Sequence, residues 1–509
     1  MKDIKSKQVV VIGAGAGGLA VAGLLAKAGF KVTIYEANSD VGGRMGLYEA
    51  DGFKFDTGPS WYLMPEVYEH YFNLFNKTAA DYLDLMKLSP AYQVYFQEES
   101  DPIIITGDEA VDGQTFEERE VGAADALKRY LNSAEETYKL SLKYFLYHDF
   151  SHLHKLAKMD IIKNAPAMLR SATTSLDDHV QRYFTDPGLR QIIGYPAVFL
   201  GSSPYTAPSI YHLMSYLDFR QGVFYPKGGM YSVTQALRSN AEGQGVEIVL
   251  DSPVTSIVTN DGKATGIVLG DGNEITADII VSNADLHFTQ TELLAENDRD
   301  YPSKYWEEKE AGPSALLMYL GVEGELPTLK HHNLFFAENW KENFDNIFGE
   351  NQQWPEPASM YVSMPSATDD SLAPIGHENL FILVPLPANV NLNHNRLHEF
   401  ADSYINQLAV QAGIPDLRKR IVTEKIYGPK DFATELHAWK GTALGLSHTL
   451  KQSALFRPKT KSKKVKNLYY VGANVQPGVG VPMCLISAEL IYKDLLGDHS
   501  LGPMHTEQG

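Results

Sequence analysis

The sequence predicts an α/β fold, α+β overall, built around a parallel sheet. The chain opens with a strand–helix–strand unit, in which strands at 9–12 and 32–35 flank a helix at 17–28. It closes with a strand at 467–472, a glycine-rich turn and a helix at 483–496. The opening unit is typical of the start of a parallel sheet.

The middle of the chain changes character twice. From about residue 120 to 220, apolar residues recur at helical spacing, as at Tyr138 and Leu142, and predict a helical block. Strand patterns separated by turn signals follow. The predicted strands are 246–250, 254–258, 265–269, 275–282, 315–322, 359–364 and 380–386. An amphipathic helix is expected at 396–412.

Composition and charge exclude several classes of protein. With 509 residues, 44% of them apolar, the chain is long enough for two or more domains. Its one cysteine, Cys484, excludes an internal disulfide framework and multi-cysteine metal sites, and no histidine constellation predicts a metal. The net charge of −19 disfavours nucleic-acid binding. We find no run of about 20 apolar residues that predicts a transmembrane helix.

One basic segment departs from the acidic average. It contains Arg457, Lys459, Lys461, Lys463, Lys464 and Lys466. Such a segment is typical of a solvated loop before a strand. The alternative is contact with lipid headgroups, where each basic residue adds roughly 1 kcal/mol near an anionic surface.

The strongest motif is the glycine-rich turn after the first strand, formed by Gly13, Gly15, Gly17 and Gly18. Gly13 permits the tight turn, Gly15 lets the backbone approach a pyrophosphate, and Gly18 lets the helix pack closely on the strand. Glu36 ends the second strand, where a carboxylate accepts hydrogen bonds from ribose hydroxyls and rejects a ribose phosphate. The pattern predicts a dinucleotide site and disfavours NADP.

Several shorter motifs follow this turn. Gly43 and Arg44 come soon after Glu36, and Gly58 and Pro59 end the segment 52–60. Small and stiff residues of this kind let a backbone pass beside a flat ring. Asp56 precedes them, and we expect it to orient that loop, with direct action on a bound ring as the alternative. Further short motifs lie at 225–230, which includes Lys227, at 251–254 and at 282–285.

The C-terminal motif is the most specific. A strand ending in Gly472 and Ala473 leads into a glycine-rich turn and then a helix, so a second helix N-terminus faces the dinucleotide. The end of the turn comprises Gly480, Val481 and Pro482. Cys484, at the start of the helix, is expected to be buried and inert.

These motifs together resemble the bacterial-type phytoene desaturases of the FAD-dependent amine-oxidase and phytoene-desaturase superfamily. The resemblance implies that Arg44 lies near the pyrophosphate, that 52–60 passes beside the flavin, and that Val254 holds the adenine through its backbone. It leaves a second anion site at Lys227 open. Many relatives carry Thr-His where this chain has Val475 and Gln476, which puts any role of that histidine in doubt.

The resemblance also implies a three-part organisation. The expected FAD-binding, Rossmann-like domain comprises 1–70, 221–290 and 440–498. A sheet-containing substrate domain comprises 71–120 and 291–439. A helical part, 121–220, is expected to meet the membrane, and 499–509 to form a flexible tail. The implied location is the cytoplasm, with peripheral association to the membrane.

The implied reaction is desaturation of a long isoprenoid hydrocarbon, phytoene or diapophytoene. The flavin takes a hydride and another group takes a proton. Asp160 lies where relatives carry an acidic residue three positions before a basic one. It is therefore the candidate base, although a surface ion pair with Lys163 explains the same spacing. The sequence leaves the electron acceptor, oxygen or quinone, undecided.

Two rival functions remain open at this point. An amine or porphyrinogen oxidase, or a later carotenoid oxidase, would use the same cofactor on another substrate. A carotenoid carrier without turnover is the alternative from outside the enzymes. Fold class does not separate these functions, because function depends on the site.

Overall fold

The computed structural model describes residues 7–150, 171, 173–390 and 394–506. Its strands fall into five sheets. The strands are β1 Gln8–Ile12, β2 Lys31–Tyr35, β3 Leu47–Ala50, β4 Phe53–Asp56, β5 Leu85–Lys87, β6 Tyr92–Phe96, β7 Ile103–Ile105, β8 Phe224–Pro226, β9 Glu247–Val249, β10 Val254–Asn260, β11 Lys263–Leu269, β12 Glu274–Thr276, β13 Ile279–Ser282, β14 Ser314–Glu323, β15 His332–Phe336, β16 Met360–Ser363, β17 His377–Leu386, β18 Ile421–Tyr427 and β19 Leu468–Tyr470.

The longer helices cover the sheets and form the block between β7 and β8. They are α1 Ala16–Lys27, α2 Pro65–Asn73, α3 Glu109–Arg119, α4 Ala123–Ser141, α5 Pro187–Gly194, α6 Tyr231–Gly243, α7 Trp340–Phe348, α8 His394–Gln411, α9 Pro429–Glu435 and α10 Val481–Leu496. Shorter helices lie at Leu176–Val180, Met214–Tyr216, Leu286–Phe288, Ser303–Glu307 and Leu417–Arg420, and π-helical turns at Leu142–Leu146, Leu217–Gln221 and Thr289–Leu293. Within the described residues, none of the helices is long and apolar enough to cross a bilayer.

A five-stranded sheet, all of it parallel, joins the two terminal units of the chain. Its order is β19-β13-β1-β2-β9. Helix α1 packs against α6 and α10 on this sheet. Residues 17–25 of α1 are all buried there, so the helix has almost no solvent-facing stripe. The predicted strand–helix–strand unit is confirmed, and its boundaries differ by one residue from the expectation.

A seven-stranded, mostly antiparallel sheet forms the second centre of the molecule, in the order β18-β14-β17-β16-β15-β6-β7. Its strand β14 is buried on both faces, which explains its continuous apolar sequence. Leu316 and Met318 face a core that α8 covers, whereas Leu317 and Tyr319 face the opposite core, which includes the helical block. The second face is the one that meets the functional site.

Two local predictions differ from the structure. The single strand expected at 275–282 is two strands, because β12 pairs antiparallel with β11 while β13 joins the parallel sheet. Asp278 lies between them, and its carboxylate accepts the backbone N–H of Gln8 at 2.9 Å. Strands β6, β7, β15 and β18 were not predicted. They supply four of the strands of the seven-stranded sheet.

One charged residue also differs from expectation. Arg457 does not belong to a solvated basic loop, because its side chain is buried and donates to the carbonyl of Ala473 at 2.7 Å. Burial lowers the pKa of this guanidinium to about 10. Near the C-terminus, Lys493 Nζ donates to the carbonyls of Ser500 and Gly502 at 2.7 and 2.8 Å. The flexible tail at 499–509 stays a prediction.

Candidate functional site

The glycine-rich turn after β1 forms a close-packed cradle with a residue from another strand. A Cβ on Gly15 would lie 2.7 Å from Asn283 Oδ1, and one on Gly17 would lie 2.9 Å from Asn283 Nδ2. A Cβ on Gly18 would lie 2.1 Å from the carbonyl oxygen of Gly13. Gly15 and Gly17 face the cavity, whereas Gly18 packs α1 against the turn. Asn283 follows β13, and Asn283 Nδ2 donates to the carbonyl of Val471 at 3.0 Å.

Glu36 follows β2 and is buried beside the turn. Its Oε2 accepts the backbone N–H of Ala14 at 2.6 Å, and its Oε1 accepts the N–H of Asn38 at 3.0 Å. The carboxylate therefore ties the glycine-rich turn to the end of the second strand. It still lines the cavity, and ionised carboxylate oxygens can accept more than one hydrogen bond each.

Arg44 lies across the cradle from these residues. Its Nη2 is 3.7 Å from Asp285 Oδ2. Its Nε and Nη2 atoms are buried without a hydrogen-bond partner in the described part of the chain. Buried guanidinium donors are normally satisfied, so these atoms fit an acceptor-rich group such as a phosphate or a flavin carbonyl. A dinucleotide fits both the glycine cradle and this cation.

Asp56 binds the helix N-terminus that follows the short motif at 225–230. Its carboxylate accepts the N–H groups of Met230 and Tyr231, at 2.7 and 2.8 Å, where α6 begins. Burial raises the pKa of Asp56 to about 6, although these two donors act in the opposite direction. The chain's own carboxylate thus occupies this helix N-terminus, and Lys227 is exposed outside the cavity. A second anion site at Lys227 is not supported, and Asp56 orients the loop as expected.

The C-terminal turn before α10 closes the cradle. Gly472 has φ +115° and Gly480 has φ +120°, a region that side chains rarely adopt. His448 reaches this turn from another loop: its Nδ1 lies 2.9 Å from the carbonyl of Leu200, and a Cβ on Gly478 would lie 2.4 Å from its Nε2. An imidazole therefore supports this turn even though Gln476 stands where relatives carry histidine. Sequence reasoning missed His448, because no local pattern marks it.

One cavity of about 1140 Å³ connects these features. It is lined by nearly all of the residues that the sequence predicts for the cofactor. These are Gly13, Gly15, Gly17, Glu36, Gly43, Arg44, Gly58, Pro59, Val254, Gly472, Ala473, Gly480, Val481 and Pro482. Gly18 packs behind the lining, and Asp160 lies outside the described residues.

The other part of the cavity is apolar and aromatic. Trp61 directly follows the segment 52–60, and its ring is stacked on His332 with centroids 4.7 Å apart. The rings of Phe199 and Tyr361 lie 5.3 and 6.3 Å from it. Trp61 was not singled out from the sequence, although its place next to Gly58 and Pro59 is a signal that could have found it. The cavity thus joins a backbone-lined cradle to a space suited to a hydrocarbon.

The comparisons with known proteins agree with this geometry. A family profile described as flavin containing amine oxidoreductase matches residues 16–491. The chain is 42% identical over 499 residues to a carotenoid 3,4-desaturase of Haloarcula japonica, covering 98% of this chain and 100% of the relative. The chain belongs to the carotenoid desaturase family of flavin-containing amine oxidoreductases. It is an FAD-dependent oxidoreductase.

Two further desaturases cover nearly the whole chain of this enzyme. A zeta-carotene-forming phytoene desaturase of Myxococcus xanthus is 34% identical, covering 97% of this chain and 94% of the relative. A 4,4'-diapophytoene desaturase of Staphylococcus haemolyticus is 30% identical, covering 96% and 99%. Among solved structures, a putrescine oxidase variant has a TM-score of 0.63 at 15% identity and covers 97% of this chain and 99% of its own. That likeness supports the fold alone.

Proposed function

We propose that the enzyme introduces double bonds into a long apolar polyene in carotenoid biosynthesis, with phytoene and diapophytoene as the candidate substrates. The single supporting observation is the continuous cavity, in which the dinucleotide cradle opens directly into a space walled by aromatic and aliphatic side chains. A hydrocarbon has no polar handle, so shape and apolar contact must orient it. The names of the relatives support the same substrate class.

The cofactor roles follow from the cradle. In this proposal Gly13, Gly15 and Gly17 bring the backbone against the pyrophosphate, and Glu36 accepts from the adenosine ribose. Arg44 donates its orphaned N–H groups to the bound cofactor. The segment at Gly58 and Pro59 and the N-terminus of α10 would flank the flavin. Residues 1–70, 221–290 and 440–498 form the cofactor domain, and 71–120 and 291–439 the substrate domain.

The flavin accepts the hydride when FAD is bound. The surrounding residues orient the chain and keep water out of an apolar space, which protects a developing positive charge from attack. A base must still take a proton from the neighbouring carbon, and Asp160 remains the proposed candidate for this step. Oxygen or a quinone would then reoxidise the cofactor.

Anaerobic reduction of the holoenzyme tests this function directly. Purified enzyme with bound FAD is mixed with phytoene, diapophytoene or an already conjugated carotene in detergent micelles. Loss of the flavin absorbance near 450 nm together with a new polyene band is the expected result with one of them. The reactive precursor fixes the chain length. A flavin that stays oxidised with all three would contradict a carotenoid desaturase and favour another flavin oxidase.

We also propose that the rim of the cavity contacts a membrane surface. Leu450, Leu455 and Phe456 are 44%, 43% and 61% exposed, and all three also line the cavity. Exposed apolar side chains at the opening of a hydrocarbon site suit insertion between lipid tails. With a net charge of −19, this contact must depend on apolar insertion more than on attraction to anionic lipid.

Flotation with phosphatidylcholine vesicles measures this contact. The double variant Leu455→Ser, Phe456→Ser should lose most of its vesicle binding while it keeps FAD. The matched control is Val121→Ser, Val410→Ser, which removes two apolar side chains that are 93% and 81% exposed outside the cavity lining. Equal flotation of the rim variant and the control would refute this docking surface.

A further inference from the structure

A buried carboxyl group lies directly behind the aromatic wall of the cavity. Asp218 belongs to the π-helical turn Leu217–Gln221 and is 2% exposed. Its Oδ2 accepts the hydroxyl of Tyr92 at 2.8 Å and the hydroxyl of Tyr195 at 3.1 Å. Its Oδ1 is buried and has no hydrogen-bond partner among the described residues.

The charged groups around Asp218 do not neutralise it. Asp112 of α3, which has the same sign, raises the pKa of Asp218 further. Arg220, two residues away, is instead paired with Glu109 and Glu135, both at 2.7 Å. Within the described residues no cation forms an ion pair with Asp218. Burial without a cation raises the pKa of such a carboxyl group, and ionisable groups with perturbed pKa values cluster at functional sites.

The aromatic residues that contact Asp218 connect it to the substrate space. The rings of Tyr92 and Tyr195 lie 5.7 Å apart, and Trp61 lies 5.4 Å from the first and 6.2 Å from the second. Tyr195 and Trp61 line the cavity, whereas Tyr92 and Asp218 do not. The ring of Tyr195 therefore stands between the carboxyl group and whatever fills the cavity.

We propose that the Asp218 carboxylate, acting through the hydroxyl and ring of Tyr195, stabilises the positive charge that develops on the polyene during hydride loss. The proposal rests on the proposed desaturation. With FAD bound, the C–H bonding pair would leave as hydride to the flavin, and the charge would stay on the allylic chain until the neighbouring carbon lost its proton to the base. Asp218 takes neither the hydride nor the proton, so it is a positioning residue.

The physical reason is electrostatic. A negative charge on the far side of a phenol makes the near ring face more attractive to a cation, and cation–π attraction strengthens where water is excluded. Positive charge that exists only while the bond breaks gains from a fixed charge, whereas the neutral ground state gains nothing. Asp218 should therefore act on the rate of flavin reduction and leave substrate affinity unchanged.

The test compares anaerobic flavin reduction in four proteins: wild type, Asp218→Asn, Tyr195→Phe and Asp112→Asn. The amide introduced by Asp218→Asn is isosteric with the carboxylate and keeps an acceptor for both tyrosine hydroxyls. We expect at least about a tenfold lower limiting rate in Asp218→Asn with the same half-saturating substrate concentration. In wild type the rate should rise with pH through about 7, where the Asp218 carboxyl, whose pKa burial raises, ionises. In Asp218→Asn this rise should disappear.

The other variants keep the result interpretable. Tyr195→Phe breaks the hydrogen bond to the carboxylate and should reduce the rate and flatten the profile even if Asp218→Asn fails to fold. Asp112→Asn, also buried and outside the cavity lining, should keep the limiting rate and move the pH midpoint downwards. A wild-type rate and profile in both Asp218→Asn and Tyr195→Phe would overturn the inference. A wild-type flavin that no carotene reduces would instead contradict the proposed function.

A second readout does not depend on turnover. In the protein without substrate, denaturant unfolding of wild type and Asp218→Asn between pH 5 and pH 8 reports whether this carboxyl ionises in the folded state. Relative to Asp218→Asn, the wild type should lose stability as pH rises and this loss should level off near pH 7, where the folded carboxyl ionises. A loss that continues without levelling up to pH 8 would show that Asp218 stays protonated in the folded state and would also overturn the inference.

Discussion

The two ends of the cavity are built in opposite ways. At the cofactor end the wall is mainly backbone, and Gly15, Gly17 and Gly472 leave so little room that an added Cβ would lie within 3 Å of Asn283. At the hydrocarbon end the wall consists of large side chains, such as Trp61 and Phe199, which contact one another ring to ring. The first end recognises a rigid polar ligand, and the second encloses an apolar one. Adding or exchanging a single atom should therefore have its largest effect at the cofactor end.

The largest effect is expected for Gly18→Ala. Its Cβ would lie 2.1 Å from the carbonyl oxygen of Gly13, which is backbone and cannot rotate away. We expect a protein without bound FAD that is destabilised by about 3 kcal/mol or more. The ratio of absorbance at 450 to 280 nm and denaturant unfolding measure both effects. Gly243→Ala is the control, because no atom lies within 4 Å of its added Cβ. A yellow, stable Gly18→Ala protein would contradict the tight cradle.

The next effect concerns the buried charge behind the hydrocarbon end. Burial raises the pKa of Asp218 to about 7, whereas the unfolded carboxyl titrates near 4. Between these values the folded state binds more protons, so stability falls as pH rises, by roughly 2 to 3 kcal/mol between pH 5 and pH 8 for this group. The free energy of unfolding of Asp218→Asn should not show this decrease with rising pH. Urea unfolding at pH 5 and pH 8 measures this decrease. The same change in the free energy of unfolding in wild type and Asp218→Asn would contradict the prediction.

A larger side chain at the hydrocarbon end should slow the reaction with substrate while the protein keeps its FAD. Val198, in the turn Tyr195–Leu200, lines the cavity and is partly exposed. Val198→Trp would fill space that the polyene needs, so flavin reduction by substrate should slow at least about tenfold while the FAD content stays normal. Val198→Ile is the matched control with a small volume change. Loss of FAD from Val198→Trp would show that the two ends are less separate than proposed.

The smallest effect is expected for Glu36→Gln. Both carboxylate oxygens accept backbone N–H groups, so an amide would place its NH₂ against one of these donors. FAD affinity should fall about tenfold, or about 1.4 kcal/mol. Quenching of flavin fluorescence during titration of the apoprotein measures it. Glu49→Gln, at an exposed position, should bind FAD as the wild type does.

The same contrast explains what the sequence could predict. The turn at Gly13 and the helix after it depend on neighbouring residues, so spacing alone located β1, α1 and β2. The hydrocarbon end brings Trp61, Tyr195 and His332 together from distant parts of the chain. Local sequence spacing does not predict such contacts. Arg457 was assigned to a basic loop because composition does not show which cation turns inward to backbone carbonyls. Strand β15 was missed because its polar residues, such as Asn333, are satisfied by partners from other strands.

The position of β19 and α10 has a consequence for biogenesis. This strand and helix complete the edge of the parallel sheet and cover α1, yet they leave the ribosome long after α1 does. Until residues 468–496 emerge, the buried face of α1 lacks its partner and the cradle lacks Gly472 and Gly480. Capture of the cofactor must therefore wait until residues 468–496 have emerged. A nascent chain that stalls before this point would expose apolar surface to chaperones and proteases.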